Sequence, residues 1–419
     1  MALVRPMPLA VRLFGWVTLG LTLLCLGVEW ICGTVLRLQY PYTWPLMPTN
    51  DPFRDFHLYR DRFSVYHSAQ FFTYPGEAYL YPAPAAVFYK LFFLSRHPTR
   101  TFLLSFLVAA IVLAIVFARK LLSRGISFDG VSGLVAATVF CSYPFFFDFE
   151  QGNIEWIIWL LVLFGVWAFV SGRGSMAAVC FGFAASIKFY PILFVCLFLS
   201  RRQFRQASLA VVVSLASTVV SLWLLCPDIG VAWRGTLAGI ATFRERYMLD
   251  SREVGFDHSL FALPKAFAGS IRFLTHSAEP PRPEILAKML TVYSASLVVV
   301  GLVLYVAVIR RLPWINQIIC LTVATVLLPP VSYDYTLLYL YVPWAVLVLF
   351  AVDAGRPNVP GLMGAMVCFA ILFAPETELI VHGSSLGGQL KAVTLMVLAG
   401  IALLRPFRLA DDAVDERLD

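Results

Sequence analysis

Asp55, His57 and Tyr59 lie in the segment Asn50–Tyr66, NDPFRDFHLYRDRFSVY, with Asp51 and Asp61 as further carboxylates and Arg54, Arg60 and Arg62 between them. This composition, a carboxylate beside Arg and His next to a membrane surface, has the look of a general base. It is also the composition of a solvated surface loop whose charges pair along a helix. His57 shares a face with Asp55 only if the segment is extended, and spacing alone does not choose among Asp51, Asp55 and Asp61.

Four other clusters carry polar chemistry. FEQGNIEW places Glu150, Gln151, Asn153 and Glu155 at a helix start, where Asn153 reads as a cap and the group as a rim that hydrogen-bonds sugar hydroxyls. Lys188, in ASIKFYP, separates two apolar runs; such a residue either snorkels or serves a site, and its charge suits a lipid phosphate. The stretch 226–288 mixes Arg234, Arg244, Arg246, Arg252 and Lys265 with aromatics and a DHS turn containing His258. It fits an anionic headgroup or an interfacial helix. PPVSYDYT sets Asp334 and Tyr335 where one apolar run ends and the next begins, with Asp334 also readable as a cap. No glycine-rich phosphate loop, HExxH, GxSxG or Cys/His metal spacing is present, so a soluble nucleotide site is not supported.

The elements that must hold these residues are apolar. Of 419 residues, 60% are hydrophobic and 14% charged, against roughly 25% charged in soluble chains. Twelve apolar stretches read as membrane helices: Val11–Trp30, 101–119, 130–146, 154–171, 175–187, 190–200, 206–225, 289–309, 314–330, 335–353, 359–373 and 387–404. Lys188 and Pro191 make 175–200 a hairpin, while Tyr81–Leu94, with Pro82, Pro84 and Lys90, reads as interfacial or re-entrant. The first apolar run has no cleavage site and reads as a retained span. With the N-terminus cytoplasmic, the basic stretches 119–125, 171–174, 201–205, 309–313, 353–357 and 405–408 share the inner side, and every polar cluster falls outside. The fold class is therefore all-α and polytopic. Residues 1–408 form one unit with a first outer loop at 36–100 and a large one at 226–288, followed by an acidic cytoplasmic tail, 409–419. The eight cysteines sit in or beside apolar runs and read as packing residues.

Read in order, DFHLY (55–59), Tyr81-Pro82, QGN (151–153), IKFYP (187–191), FDHSLF (256–261) and SYDY (332–335) resemble glycosyltransferase family 87. These are polyprenyl-phosphate-mannose-dependent mannosyltransferases of the GT-C superfamily, with the mycobacterial phosphatidylinositol-mannoside mannosyltransferase as a familiar member. The resemblance spans roughly residues 10–405 and implies a GT-C-type bundle of about twelve helices in the plasma membrane. Its active site would face the periplasm or exterior. The donor implied is a polyprenyl-phosphate sugar, most simply mannose, and the acceptor a glycolipid or glycan, with membrane lipids as surroundings and no nucleic acid. It further implies Asp55 as catalytic base, inversion at the anomeric carbon, and Lys188 with Arg244 or Arg246 on the leaving phosphate. His57, Tyr59, Gln151, Asn153, His258, Asp334 and Tyr335 complete the expected substrate-binding set. A monophosphate leaving group asks little of a metal, so neither metal nor other cofactor is expected. Mannosyl members often carry S-W-x-H-H in the late loop, where this chain has Tyr335 and Thr336; the histidine's role passes to Asp334 or His258, or is lost. A transporter or flippase of an anionic lipid is the alternative, since the break at Lys188 suits both; it predicts inverted repeats, which the sequence lacks. A non-catalytic assembly subunit is a third reading, under which Asp55→Asn changes nothing.

Overall fold

Helices carry nearly all of the computed structural model, which describes residues 5–37, 42–43, 53–58, 60–75, 79–250, 254, 256–274, 283–354, 361–375, 377–378, 380–381, 384–385 and 387–408. Tyr59, Asp51 and the acidic tail lie outside the described residues. Two antiparallel pairings of two residues per strand, Tyr42–Thr43 with Thr377–Glu378 and Ile380–Val381 with Ser384–Ser385, complete the secondary structure described.

Unpunctuated apolar runs become long helices, because a helix satisfies its own backbone in hydrocarbon. Among the described residues, six are long and apolar enough to cross a membrane: Leu9–Val35, Pro98–Ser123, Phe204–Leu225, Pro283–Arg311, Asp334–Asp353 and Gly387–Leu404. Their outward faces are greasy. Leu104, Val108, Ile111, Val112, Ile115 and Val116 all lie exposed along Pro98–Ser123, a contiguous patch that water does not tolerate on a monomer. Lipid is the medium these faces require. Inside the bundle, helices approach closely where a side chain is missing: a Cβ at Gly182 would lie 2.5 Å from the Ala210 carbonyl oxygen, which lets Gly174–Ile187 and Phe204–Leu225 pack together.

Punctuation breaks the remaining segments. The span expected over 130–146 is not straight: Ser142 caps a new helix by accepting from the Phe145 N–H, and Phe128–Phe140 meets Tyr143–Gln151 at 41°. Tyr81–Leu94 yields Ala83–Phe93, whose 11 residues reach about 16 Å, well short of the roughly 30 Å hydrocarbon core. At Lys188 the backbone becomes extended (φ −138°, ψ 136°), ending Gly174–Ile187. The chain then doubles back. Phe181 stacks on Phe194 at 5.2 Å and meets Phe198 at 5.9 Å, although a straight helix would separate residues 181 and 198 by about 25 Å.

The basic stretches gather at one end. Arg124 donates to Asp353 at 2.8 Å, and Arg5 N–H to the Gly125 carbonyl at 2.7 Å. Asn316 donates to the Arg405 carbonyl at 3.1 Å and accepts from Phe407 N–H, whose ring meets Phe350. Tyr305 donates to the Cys196 carbonyl, and Arg201 covers the Phe169 ring at 4.2 Å. Glu155–Val170 runs from the opposite end toward Arg173, and Gly174–Ile187 returns to Lys188. That opposite end holds the polar clusters.

Candidate active site

Asp55 is placed by a turn of helix, Arg54–His57, wedged against the end of Tyr143–Gln151. Gly152 makes the wedge possible. It terminates the 143–151 helix at φ +66°, and a Cβ there would meet the Phe56 Cβ at 2.9 Å and the Phe53 Cα at 3.3 Å, so the position favours glycine on both counts. Phe53 N–H donates to the Glu150 carbonyl at 2.7 Å. Phe56 is buried, stacked on Phe93 at 4.7 Å and tilted on Phe102 at 4.8 Å. The carboxylate of Asp55 then meets Asn153, whose Nδ2 donates to it at 2.6 Å and to the Tyr81 hydroxyl at 3.1 Å. The other end of the same amide accepts from Glu155 N–H at 3.2 Å, which fixes its orientation. Asn153 thus steadies the helix start and aims its amide at Asp55.

Lys188 follows from the break that its own charge forces. Its ammonium pairs with Glu155, which also accepts from the Tyr339 hydroxyl, and it lies 4.6 Å from the Tyr335 ring centroid. Glu155 is fully buried, whereas the Lys188 side chain keeps 23% exposure. Asp148 is also fully buried, within electrostatic reach of both Glu155 and Lys188. Burial of Asp55 pushes its pKa above the usual carboxylate range; the Asn153 amide, the charges of Lys188 and Arg54, and the Tyr81 hydroxyl oppose this without cancelling it. A carboxylate with heightened proton affinity can accept a proton from an incoming hydroxyl.

A second cluster packs beside the first. Asp334 is fully buried and receives Lys391 Nζ at 3.0 Å, the Tyr143 hydroxyl at 2.7 Å and His258 Nδ1 at 3.0 Å. The far ring nitrogen of His258 reaches the hydroxyls of Thr336 at 3.1 Å and Ser332 at 3.2 Å. Asp257 accepts from the Ser259 and Ser332 N–H groups, each at 2.9 Å, and Lys265 lies 3.9 Å from its other oxygen. Burial raises the pKa of Asp257, against the pull of Lys265 and those N–H groups. This network clamps the 254–262 loop to the 328–336 loop. Asp334 is not a cap: it opens the Asp334–Leu340 turn without a side-chain cap bond.

The structure thus brings Asp55, Asn153, Lys188 and Tyr335 together and sets Asp334 and His258 behind them. His57 turns elsewhere, its Nε2 2.9 Å from the Thr99 hydroxyl. Arg54–His57 is helical rather than extended, and residues two apart on a helix diverge by about 200°. Gln151 donates to its neighbour Glu150 at 2.7 Å. Arg244 and Arg246 are exposed on the Arg244–Met248 turn. That turn reaches the second cluster through Tyr247, which meets the Tyr333 ring at 6.3 Å. Asp61 is exposed, and Arg62 is buried as a structural donor to the Phe71 carbonyl at 2.7 Å. Asp148, Tyr339 and Lys391 pack into the same clusters without having stood out in the sequence, and Tyr81 stood out only as part of a Tyr-Pro motif. An ionisable group in an apolar run, the sign that exposed Lys188, was equally present at Lys391. Among the described residues, no group of three His, Cys, Asp or Glu side chains could hold a metal ion.

Lipid-facing helices around a one-ended polar cluster define a membrane-embedded protein that buries a carboxylate of raised proton affinity. The sequence profile of glycosyltransferase family 87 matches residues 79–329, and the chain belongs to that family. It is therefore a membrane glycosyltransferase, an enzyme with a sugar donor and an acceptor. Neither the curated proteins nor the solved structures contain a match.

Proposed function

We propose that this enzyme moves mannose from a polyprenyl-phosphate carrier to a glycolipid or glycan hydroxyl at the outer face of the plasma membrane. The observation that carries the reading is the Asp55 carboxylate, held by Asn153 and Tyr81 and within electrostatic reach of Lys188. The acceptor hydroxyl gives its proton to Asp55, and its oxygen bonds the anomeric carbon. The bond from that carbon to the phosphate oxygen breaks with its electron pair, and polyprenyl phosphate departs with inversion. Lys188 offsets the charge on the departing phosphate, and Arg244 and Arg246 draw the anionic carrier to the rim. Tyr335 floors the site beneath Lys188. His258, joined to Thr336, and Asp334 stand near the family's late-loop histidine position and act by holding Tyr335 and its loop. His57 and Gln151 serve the site only through the loops they brace.

In this reading the six long helices, the bent pair and five of the shorter apolar helices make a GT-C-type bundle of about twelve. The clustering of basic stretches at one end supports a cytoplasmic assignment for that end and for both termini. The test is to supply the purified protein with a panel of polyprenyl-phosphate sugars and membrane glycolipids. Transfer of mannose with inverted anomeric configuration is expected. Retained configuration would remove the single-base mechanism, and lipid movement without transfer would remove the activity.

A further inference from the structure

Lys188 has its ion-pair partner in Glu155, yet the two differ in freedom. Glu155 is fully buried in the first turn of Glu155–Val170 and keeps the Tyr339 hydroxyl as a second partner. Its place at a helix N-terminus also favours a negative charge. Lys188 sits on extended backbone, with 23% of its side chain exposed and the Tyr335 face 4.6 Å away. The cation can turn toward an entering ligand, and the carboxylate cannot follow.

We infer that Glu155 holds, in the unliganded enzyme, the place on Lys188 that the lipid monophosphate takes on binding. Donor binding is then an exchange of anions, and Glu155 sets donor affinity. This rests on the reading of Lys188 as the phosphate contact and deepens it. Glu155 survives the exchange because Tyr339 and the helix terminus still satisfy it.

The experiment measures binding of undecaprenyl monophosphate to the full chain in lipid nanodiscs, with uncharged undecaprenol as control. Removing one competing charge close to the phosphate is expected to tighten binding by about tenfold or more in Glu155→Gln. Glu155→Asp keeps the charge and should bind no more tightly than the parent. Tyr339→Phe removes the donor that shares Glu155, leaves the carboxylate more dependent on Lys188, and should weaken binding severalfold. It also carries the test alone if Glu155→Gln does not fold. Undecaprenol binding should move in none of them. Weaker or unchanged phosphate binding in Glu155→Gln, or tighter or unchanged binding in Tyr339→Phe, overturns the exchange. Lys188→Ala separates the two levels: unchanged phosphate affinity there overturns the reading of Lys188 itself, and weakened affinity upholds that contact, with the exchange decided by the Glu155 and Tyr339 variants.

Discussion

Gly152→Ala tests whether the turn carrying Asp55 sets the rate. At φ +66° an alanine pays about 1–2 kcal/mol for left-handed backbone. Its Cβ would stand 2.9 Å from the Phe56 Cβ, where ordinary contacts are 3.4–4 Å, so the turn must retreat by roughly half to one ångström. A catalytic group displaced by about 1 Å can lose as much as 100-fold in rate. The expected result is a kcat lower by about ten- to 100-fold, with donor KM little changed because Lys188 stands on another element. Gly172→Ala is the control. It sits at φ +73° with nothing within 4 Å of an added Cβ, so it should lose similar stability and keep its kcat. Transfer assays with purified variants, alongside thermal unfolding, read both quantities. Equal kcat in the two variants would refute the reasoning.

Other consequences follow from charge. Because burial raises the Asp55 pKa, kcat/KM should fall on the acid side at a pH above the ordinary carboxylate range, and a limb at or below that range would contradict the assignment. The native state also binds this proton more tightly than the unfolded chain. Its ionisation therefore costs stability, by nothing below the ordinary pKa and increasingly as pH rises through the raised one. Asp55→Asn should accordingly melt at or above the parent temperature at neutral pH; a clear fall would show that the ionised form is favoured. Lys391→Ala leaves Asp334 buried without its cation and should destabilise by about 3–5 kcal/mol, whereas Lys391→Met with Asp334→Asn should recover part of the loss. Unchanged melting in the single variant would count against the clamp.

What the sequence made legible tracks how local the physics is. The break at Lys188 could be read because a charge and a proline interrupt an apolar run, and both act on their own backbone. Tyr81–Leu94 was readable as too short and too proline-rich to cross. The break at Ser142 was harder, since its signal is a single capping hydroxyl followed by Pro144. Asp55 stood out by composition and by resemblance, but its neighbours did not. Asn153 reaches it across 98 residues of sequence, and Lys391 reaches Asp334 across 57. No periodicity encodes such pairings. The face of His57 could not be read because it depends on whether four residues are helical or extended, and their helical turn is set by the burial of Phe56 within it and by the close approach of Gly152 from another element.

The most direct test of Asp55 as the base is transfer by Asp55→Asn. The purified variant is given labelled polyprenyl-phosphate-mannose and extracted glycolipids, and donor binding is measured in the same preparation. Mannosyl transfer is expected from the parent and none from the variant, with donor affinity retained because the phosphate contact is Lys188. Transfer by the variant at a rate near the parent's would contradict that role.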